Sequence, residues 1–253
     1  MTTDNSRDLD GRVAIVTGGA RNIGRAIACS LAAGGAKVLV NANTSLDMAN
    51  ETLEMIRSAG GDAEVFIGDV TDPATVEAMV ANAVERFGRL DVLVNNAAIR
   101  RETGLLEMSL EEWREVFAVT LDAAFLTTKA AMPHLIASGN GAVINIGGQT
   151  AHAPVAERAH VIASKGGLAA FTRAVAFEFA TQGVTVNCVV PGAIDTVRGL
   201  PGAPPRPAGR AMPPVGYRGA PADVAARVRL LAGPHGRYVT GQAIHVNGGA
   251  FMP

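Results

Sequence analysis

Short β-branched apolar runs alternate along almost the whole chain with longer stretches whose apolar residues recur at helical spacing. When strands are separated by helices, the chain recrosses the sheet between them, so neighbouring strands run parallel. The alternation predicts an α/β fold: a single-domain, doubly wound parallel sheet with helices on both faces. Strands are expected at residues 13–17, 38–40, 65–67, 92–94, 143–146, 184–190 and 243–246. Residues 22–33 read as a helix with Ile23, Ile27 and Leu31 on one face. Ser45 is the expected N-cap of a helix carrying Leu46, Ala49, Leu53 and Ile56. Thr71-Asp72-Pro73 opens another, because proline suits a first helical turn, and Val76, Met79, Val80 and Val84 are its buried face. A long helical region at 113–135 is expected to break near Pro133. The helix holding Lys165 runs to about residue 180, and a final helix carries Val224, Val228 and Leu231.

One stretch breaks the rhythm. Residues 192–214 hold six prolines (Pro201, Pro204, Pro205, Pro207, Pro213 and Pro214) together with Arg198, Arg206 and Arg210. Proline this dense denies a regular helix, and the stretch is too long for an ordinary connection. Residues 192–218 are therefore expected to form a substrate loop or lid, the plainer alternative being an unstructured insertion. Residues 1–10 read as a flexible leader and 11–253 as one domain.

Bulk properties exclude several functions. The chain has 253 residues, which suits one domain, and its 48% hydrophobic content can bury a large core. Net charge is -1 with no basic block, so neither nucleic acid nor a membrane surface is an expected partner. Cys29 and Cys188 fall in a predicted helix and a predicted strand, with neither disulfide nor metal spacing. Residues 1–10 lack an apolar signal core, and no apolar run reaches the ~18 residues of a membrane span. The expectation is a soluble cytoplasmic protein with no bound metal.

The first strand leads into Thr17-Gly18-Gly19-Ala20-Arg21-Asn22-Ile23-Gly24. A glycine-rich turn between a strand and a helix lets backbone N–H groups approach a pyrophosphate at the positive helix end. Asn22 stands where such turns often carry glycine, and asparagine tolerates the left-handed conformation better than most residues. Further on come Asp69-Val70, Asn95-Asn96-Ala97-Ala98, Pro191-Gly192 with Thr196, and Gly241-Gln242 with Gly248-Gly249.

Together these motifs, spread over roughly residues 10–250, resemble the short-chain dehydrogenases/reductases, of the 3-oxoacyl carrier-protein reductase kind. The resemblance implies that residues 11–253 are a single Rossmann-type dinucleotide-binding domain with a nicotinamide dinucleotide cofactor. Its binding residues would be Thr17, Gly18, Arg21, Asn22, Ile23, Gly24, Asn41, Asn43, Asp69, Val70, Asn95, Ala97, Lys165, Pro191, Gly192, Ile194 and Thr196. Residues 41–45 hold no acid to repel a 2′-phosphate, and Arg21 stands where NADP-preferring relatives carry a phosphate-binding arginine. NADP is therefore expected over NAD, the alternative for Arg21 being a solvated surface residue.

The family's catalytic tetrad is Asn, Ser, Tyr and Lys. Matched position by position, it falls here on Thr120, Gly148, Val161 and Lys165. Only the lysine is kept. Carbonyl reduction needs a proton as well as a hydride, and general acid help is worth about 10²–10⁴-fold. Gln149, His152 and His160 are the nearest replacement candidates, although a single helical step turns His160 about 100° from position 161. Tyr217 and Tyr238 lie in the later region, and Tyr217 is a further candidate, reaching inward from the lid. Arg100, Arg101, Arg158 and Arg198 are candidates for holding an anionic substrate, with surface charge as the alternative.

The leading expectation is an NADP-dependent oxidoreductase acting on a small organic substrate with a non-standard proton source. Two other classes stay open: a non-catalytic member serving as cofactor sensor or as structural subunit beside an active relative, and non-redox lyase or isomerase chemistry. The resemblance also implies a homotetramer or homodimer.

Overall fold

The computed structural model describes residues 7–196 and 212–253. Seven parallel strands form one sheet in the order β3-β2-β1-β4-β5-β6-β7: β1 Val13–Val16, β2 Lys37–Ala42, β3 Ala63–Ile67, β4 Val92–Asn95, β5 Ala142–Ile146, β6 Thr185–Pro191 and β7 Ala243–Val246. The strands expected from sequence are all present, their ends shifted by one or two residues. Chain order reverses between β1 and β4, which pair directly, and ligands bind above such a switch point, at the carboxyl ends of the strands.

Side chains alternate across each strand, so the sheet buries both faces. Ala14 and Val16 join a core with Ile27 and Leu31 of helix α1 (Asn22–Ala33), Leu53 and Ile56 of α2 (Leu46–Ser58), and Val224, Val228 and Leu231 of α7 (Pro221–Ala232). Val13 and Ile15 face the opposite core. They lie with Val76, Met79 and Val80 of α3 (Pro73–Phe87), Met132 and Leu135 of α5 (Ala123–Ala137), and Val175 of α6 (Ala159–Phe179).

Several local expectations need correction. Asp72 does cap α3, its carboxylate accepting from the Thr75 N–H at 2.9 Å, but Ser45 makes no capping hydrogen bond to α2. Ala83 rather than Val84 completes the buried face of α3. The region around Pro133 does not break: α5 runs through it, because a proline forfeits only one backbone bond while Ala131, Met132 and Leu135 stay buried around it. The irregularity lies earlier, in a π-helical turn at Ala118–Asp122 between α4 (Leu110–Phe117) and α5. The leader is also shorter than residues 1–10. Leu9 is fully buried in the first core, its N–H donates to the Gly34 carbonyl at 2.8 Å, and Asp8 pairs with Arg229 at 2.6 Å.

Among the described residues no helix is long and apolar enough to cross a membrane, and no group of His, Cys, Asp and Glu has a metal-holding arrangement. Cys29 and Cys188 are free thiols.

Candidate active site

At the carboxyl end of β1 the backbone is drawn into a tight cradle. Gly18 has φ +60, and a Cβ there would lie 3.1 Å from Ala97 Cα. A Cβ on Gly24 would stand 2.1 Å from the Gly18 carbonyl oxygen, so only glycine fits. Asn22 occupies the left-handed region at φ +51, the conformation its side chain was expected to tolerate. Helix α1 then starts without a side-chain cap and without an acid in its first turn. No acid of its own first turn competes there with an incoming pyrophosphate.

Polar side chains brace this cradle from below. Thr17 Oγ1 accepts from the N–H groups of Asn96 and Ala97 at 3.0 and 3.1 Å. Asn96 Nδ2 donates to the carbonyls of Thr17 and Gly18 at 2.9 and 3.0 Å. Asn41, buried, accepts from the Gly18 N–H at 3.4 Å and donates to the Gly68 carbonyl at 3.0 Å. Asn95 looks into the sheet, donating to Asn145 at 2.9 Å and accepting from Thr127 at 2.7 Å. Asn41 thus ties the turn to the loop after β3, and Asn95 ties the end of β4 to β5 and α5. Arg21 and Asn43 stand exposed at the rim. The Asp69 carboxylate accepts from the Thr71 N–H and hydroxyl at 2.9 and 2.8 Å, and Val70 is buried beside it.

The nicotinamide-side and chemistry-side positions converge on one cavity of about 410 Å³. Ile23, Pro191, Gly192, Ile194 and Thr196 meet Gly148, Gln149, Val161 and Lys165 in its wall. Lys165 and Val161 lie one helical turn apart on α6 and face the same way. Lys165 is buried, and its Nζ donates to the Ile146 carbonyl at 2.5 Å. Loss of water lowers its pKa to about 8, the Cys188 sulfur opposing weakly. Burial pushes the Cys188 thiol up to about 11 in turn, with the lysine charge pulling the other way. Gly148 is extended at φ -173, and a Cβ added to it would touch nothing closer than 3.9 Å, so its lack of a side chain leaves open space rather than relieving a clash.

The replacement candidates fare unequally. Gln149 lines the cavity and reaches the Ala250 carbonyl at 3.4 Å. His160 does not line it: the ring is fully buried against α4, with Nε2 3.2 Å from Glu112, because its helical position points it away from residue 161. His152 is also absent from the wall, packing edge-on to His245 at 4.6 Å and against Phe251 at 5.5 Å. Tyr217 is 64% exposed and Tyr238 fully exposed, so neither reaches inward. Thr120 is buried in the π-helical turn and borders a separate small cavity with Thr17, Asn95 and Thr127.

Of the four arginines, Arg100 lines the cavity, Arg101 pairs with Glu115 at 2.6 Å on the surface, and Arg158 is buried against Glu102. Arg198 and the prolines at 201–207 lie outside the described residues. Sequence reading missed Arg218, which also lines the cavity. Its neighbours bring it there: Asp195 N–H donates to the Gly219 carbonyl at 2.7 Å and Gly219 N–H to that of Ala193 at 3.1 Å. This pairing carries no sequence signal, since it depends on the chain returning to the end of β6.

The family profile described as "Enoyl-(Acyl carrier protein) reductase" matches residues 18–250, nearly the whole of this fold. The chain belongs to the short-chain dehydrogenase/reductase family. The 3-oxoacyl-[acyl-carrier-protein] reductase FabG of Vibrio cholerae is 38% identical over 247 residues, covering 97% of this chain and 99% of its own length. The 2,5-dichloro-2,5-cyclohexadiene-1,4-diol dehydrogenase LinX of Sphingobium indicum is 39% identical over 243 residues, with 95% and 96% covered. A short-chain dehydrogenase of Burkholderia cenocepacia, solved in complex with NADP, superposes with a TM-score of 0.88 at 34% identity, covering 96% of this chain and 99% of its own. This short-chain dehydrogenase/reductase thus shares the oxidoreductase class of its relatives over its full described fold.

Proposed function

We propose that the chain is an NADP-dependent oxidoreductase that moves a hydride to or from a small organic substrate and uses Lys165 itself as the proton source. The nicotinamide dinucleotide, when bound, supplies or accepts the hydride. The glycine cradle, the uncapped start of α1 and the left-handed Asn22 fit its pyrophosphate, and exposed Arg21 with acid-free residues 41–45 fits a 2′-phosphate.

The observation that carries the reading is the composition of the cavity wall. Among its described residues Lys165 is the one side chain whose proton can leave near neutral pH, since arginine stays protonated and amides and aliphatic hydroxyls do not ionise there. With Gly148 and Val161 in place of hydroxyl-bearing residues, nothing polar on α6 stands between Lys165 and the substrate space. In reduction, Nζ gives one proton to the substrate atom that has gained the electron pair, becomes neutral, and is recharged from solvent. In oxidation, neutral Nζ takes that proton. The Ile146 carbonyl fixes the amine in either state. We place the protein in a reducing cytosol as a homotetramer or homodimer, a reading supported by its free thiols and by the exposed apolar side chains Leu106, Phe125 and Phe177.

The same two positions favour a second reading. Loss of both hydroxyls at Gly148 and Val161 suits a non-catalytic member that keeps its cofactor as a sensor or as a structural subunit. Fluorescence titration with NADPH and NADH, followed by turnover assays on ketone, enoyl and iminium substrates, separates the two. Tight NADPH binding with turnover supports the enzyme, tight binding without turnover supports the sensor, and no binding of either nucleotide sinks both.

A further inference from the structure

We propose that the cavity selects a substrate carrying a carboxylate, and that Arg218, assisted by Arg100, is the residue that holds it. The inference rests on the oxidoreductase reading above and names the substrate class for that site.

The first observation is charge. The described residues of the cavity wall include Arg100, Lys165 and Arg218 but no aspartate or glutamate, in a chain whose net charge is -1. Three cationic side chains thus meet in the described wall, and apolar neighbours such as Ile99, Val155 and Val161 lower the local dielectric around them. Such a lining favours an anion over a cation.

The second observation is the state of Arg218. Its backbone is pinned by the pairing of Ile194 with Gly219, so the side chain starts from a fixed point. Among the described residues the guanidinium itself is held only by long contacts. Nη2 lies 3.5 Å from the Ile194 carbonyl, and Nε lies 3.8 Å from the carboxylate of Asp195, which is 76% exposed. Nε is buried yet makes no hydrogen bond. A planar fork of five N–H donors, oriented but unsaturated, suits bidentate recognition of a carboxylate.

The anion belongs to the substrate rather than to the cofactor. The cradle at Gly18 and Gly24 and the start of α1 take the pyrophosphate at the carboxyl end of β1, whereas Arg218 follows β6 and its return strand segment. A cavity of about 410 Å³ has room for a small acid.

The test uses the full chain saturated with NADP⁺, so that no turnover is needed. Acetoacetate and benzoylformate, each beside its methyl ester, are titrated calorimetrically against the native protein, Arg218→Gln and Arg100→Gln, and the native titration is repeated without nucleotide. The native protein should bind at least one acid about 10–100-fold more tightly than its ester, as a charge-assisted hydrogen-bonded pair allows. Arg218→Gln should bring that ratio close to one while leaving NADP⁺ affinity unchanged, and Arg100→Gln should reduce it partly. Equal affinity for acids and esters in the native protein overturns the proposal. So does an Arg218→Gln protein that keeps the ratio but loses NADP⁺ affinity, because the arginine then serves the cofactor phosphates. Failure to bind NADP⁺ at all contradicts the oxidoreductase reading instead, and the nucleotide-free titration still decides the carboxylate preference.

Discussion

A lysine with its pKa near 8 is costly to bury and useful to keep. Below that value both folded and unfolded chains hold the Lys165 proton, and the folded chain bears a desolvated charge. Between about 8 and the ordinary 10.5 the unfolded chain binds a proton that the folded chain has shed, so stability rises with pH across that window and levels off above it. Replacing the charge with an apolar chain of similar length should accordingly stabilise the fold. Lys165→Met is expected to gain about 1–3 kcal/mol in urea unfolding at neutral pH and to lose the pH dependence, while abolishing turnover. Asn22 gives a second residue-scale test. Asn22→Gly keeps φ +51 accessible and should leave NADPH affinity within about threefold, whereas Asn22→Val forces a β-branched residue into the left-handed region at a cost of about 1–2 kcal/mol and should weaken binding in fluorescence titration.

At the scale of elements, α6 presents Val161 and Lys165 to the cavity, and Gly148 after β5 stands in open space. Gly148→Ser meets no atom closer than 3.9 Å to its new Cβ. The double variant Gly148→Ser with Val161→Tyr should raise carbonyl reduction by at least about 10-fold, in line with what a positioned general acid contributes. Unchanged reduction with NADPH still bound would show that the cavity is shaped for other chemistry. The elements themselves were legible in the sequence because a short continuous apolar run such as Val13–Val16 marks a strand buried on both faces, and a 3.6-residue period survives in Val224, Val228 and Leu231. What was not legible depends on contacts between runs. The π-helical turn at Ala118–Asp122 leaves no periodic trace, the buried bonds of Asn95 to β5 and α5 cannot be read from its motif, and Arg218 gains its position only from the return of the chain to Ile194.

The whole molecule is a sheet with two buried faces, closed at one edge of its first core by the segment before β1. Leu9 is fully buried there, and residues 7–10 belong to the domain rather than to a leader. Leu9→Ala should cost about 2–4 kcal/mol in denaturant unfolding, a cavity-forming loss that a flexible leader would not show. The same scale sets the function, because the reversal of strand order between β1 and β4 opens the cleft into which the cradle, Lys165 and Arg218 all project their chemistry. The most direct test of Lys165 as the proton source is the pH dependence of NADPH oxidation at saturating cofactor, from about pH 6 to about pH 10, with the best substrate of the ketone, enoyl and iminium panel. The expected profile is flat at low pH and falls about tenfold per unit above a break near 8, following the loss of the Lys165 proton. A rate that holds steady through that break, in a protein that still binds NADPH, would contradict the account.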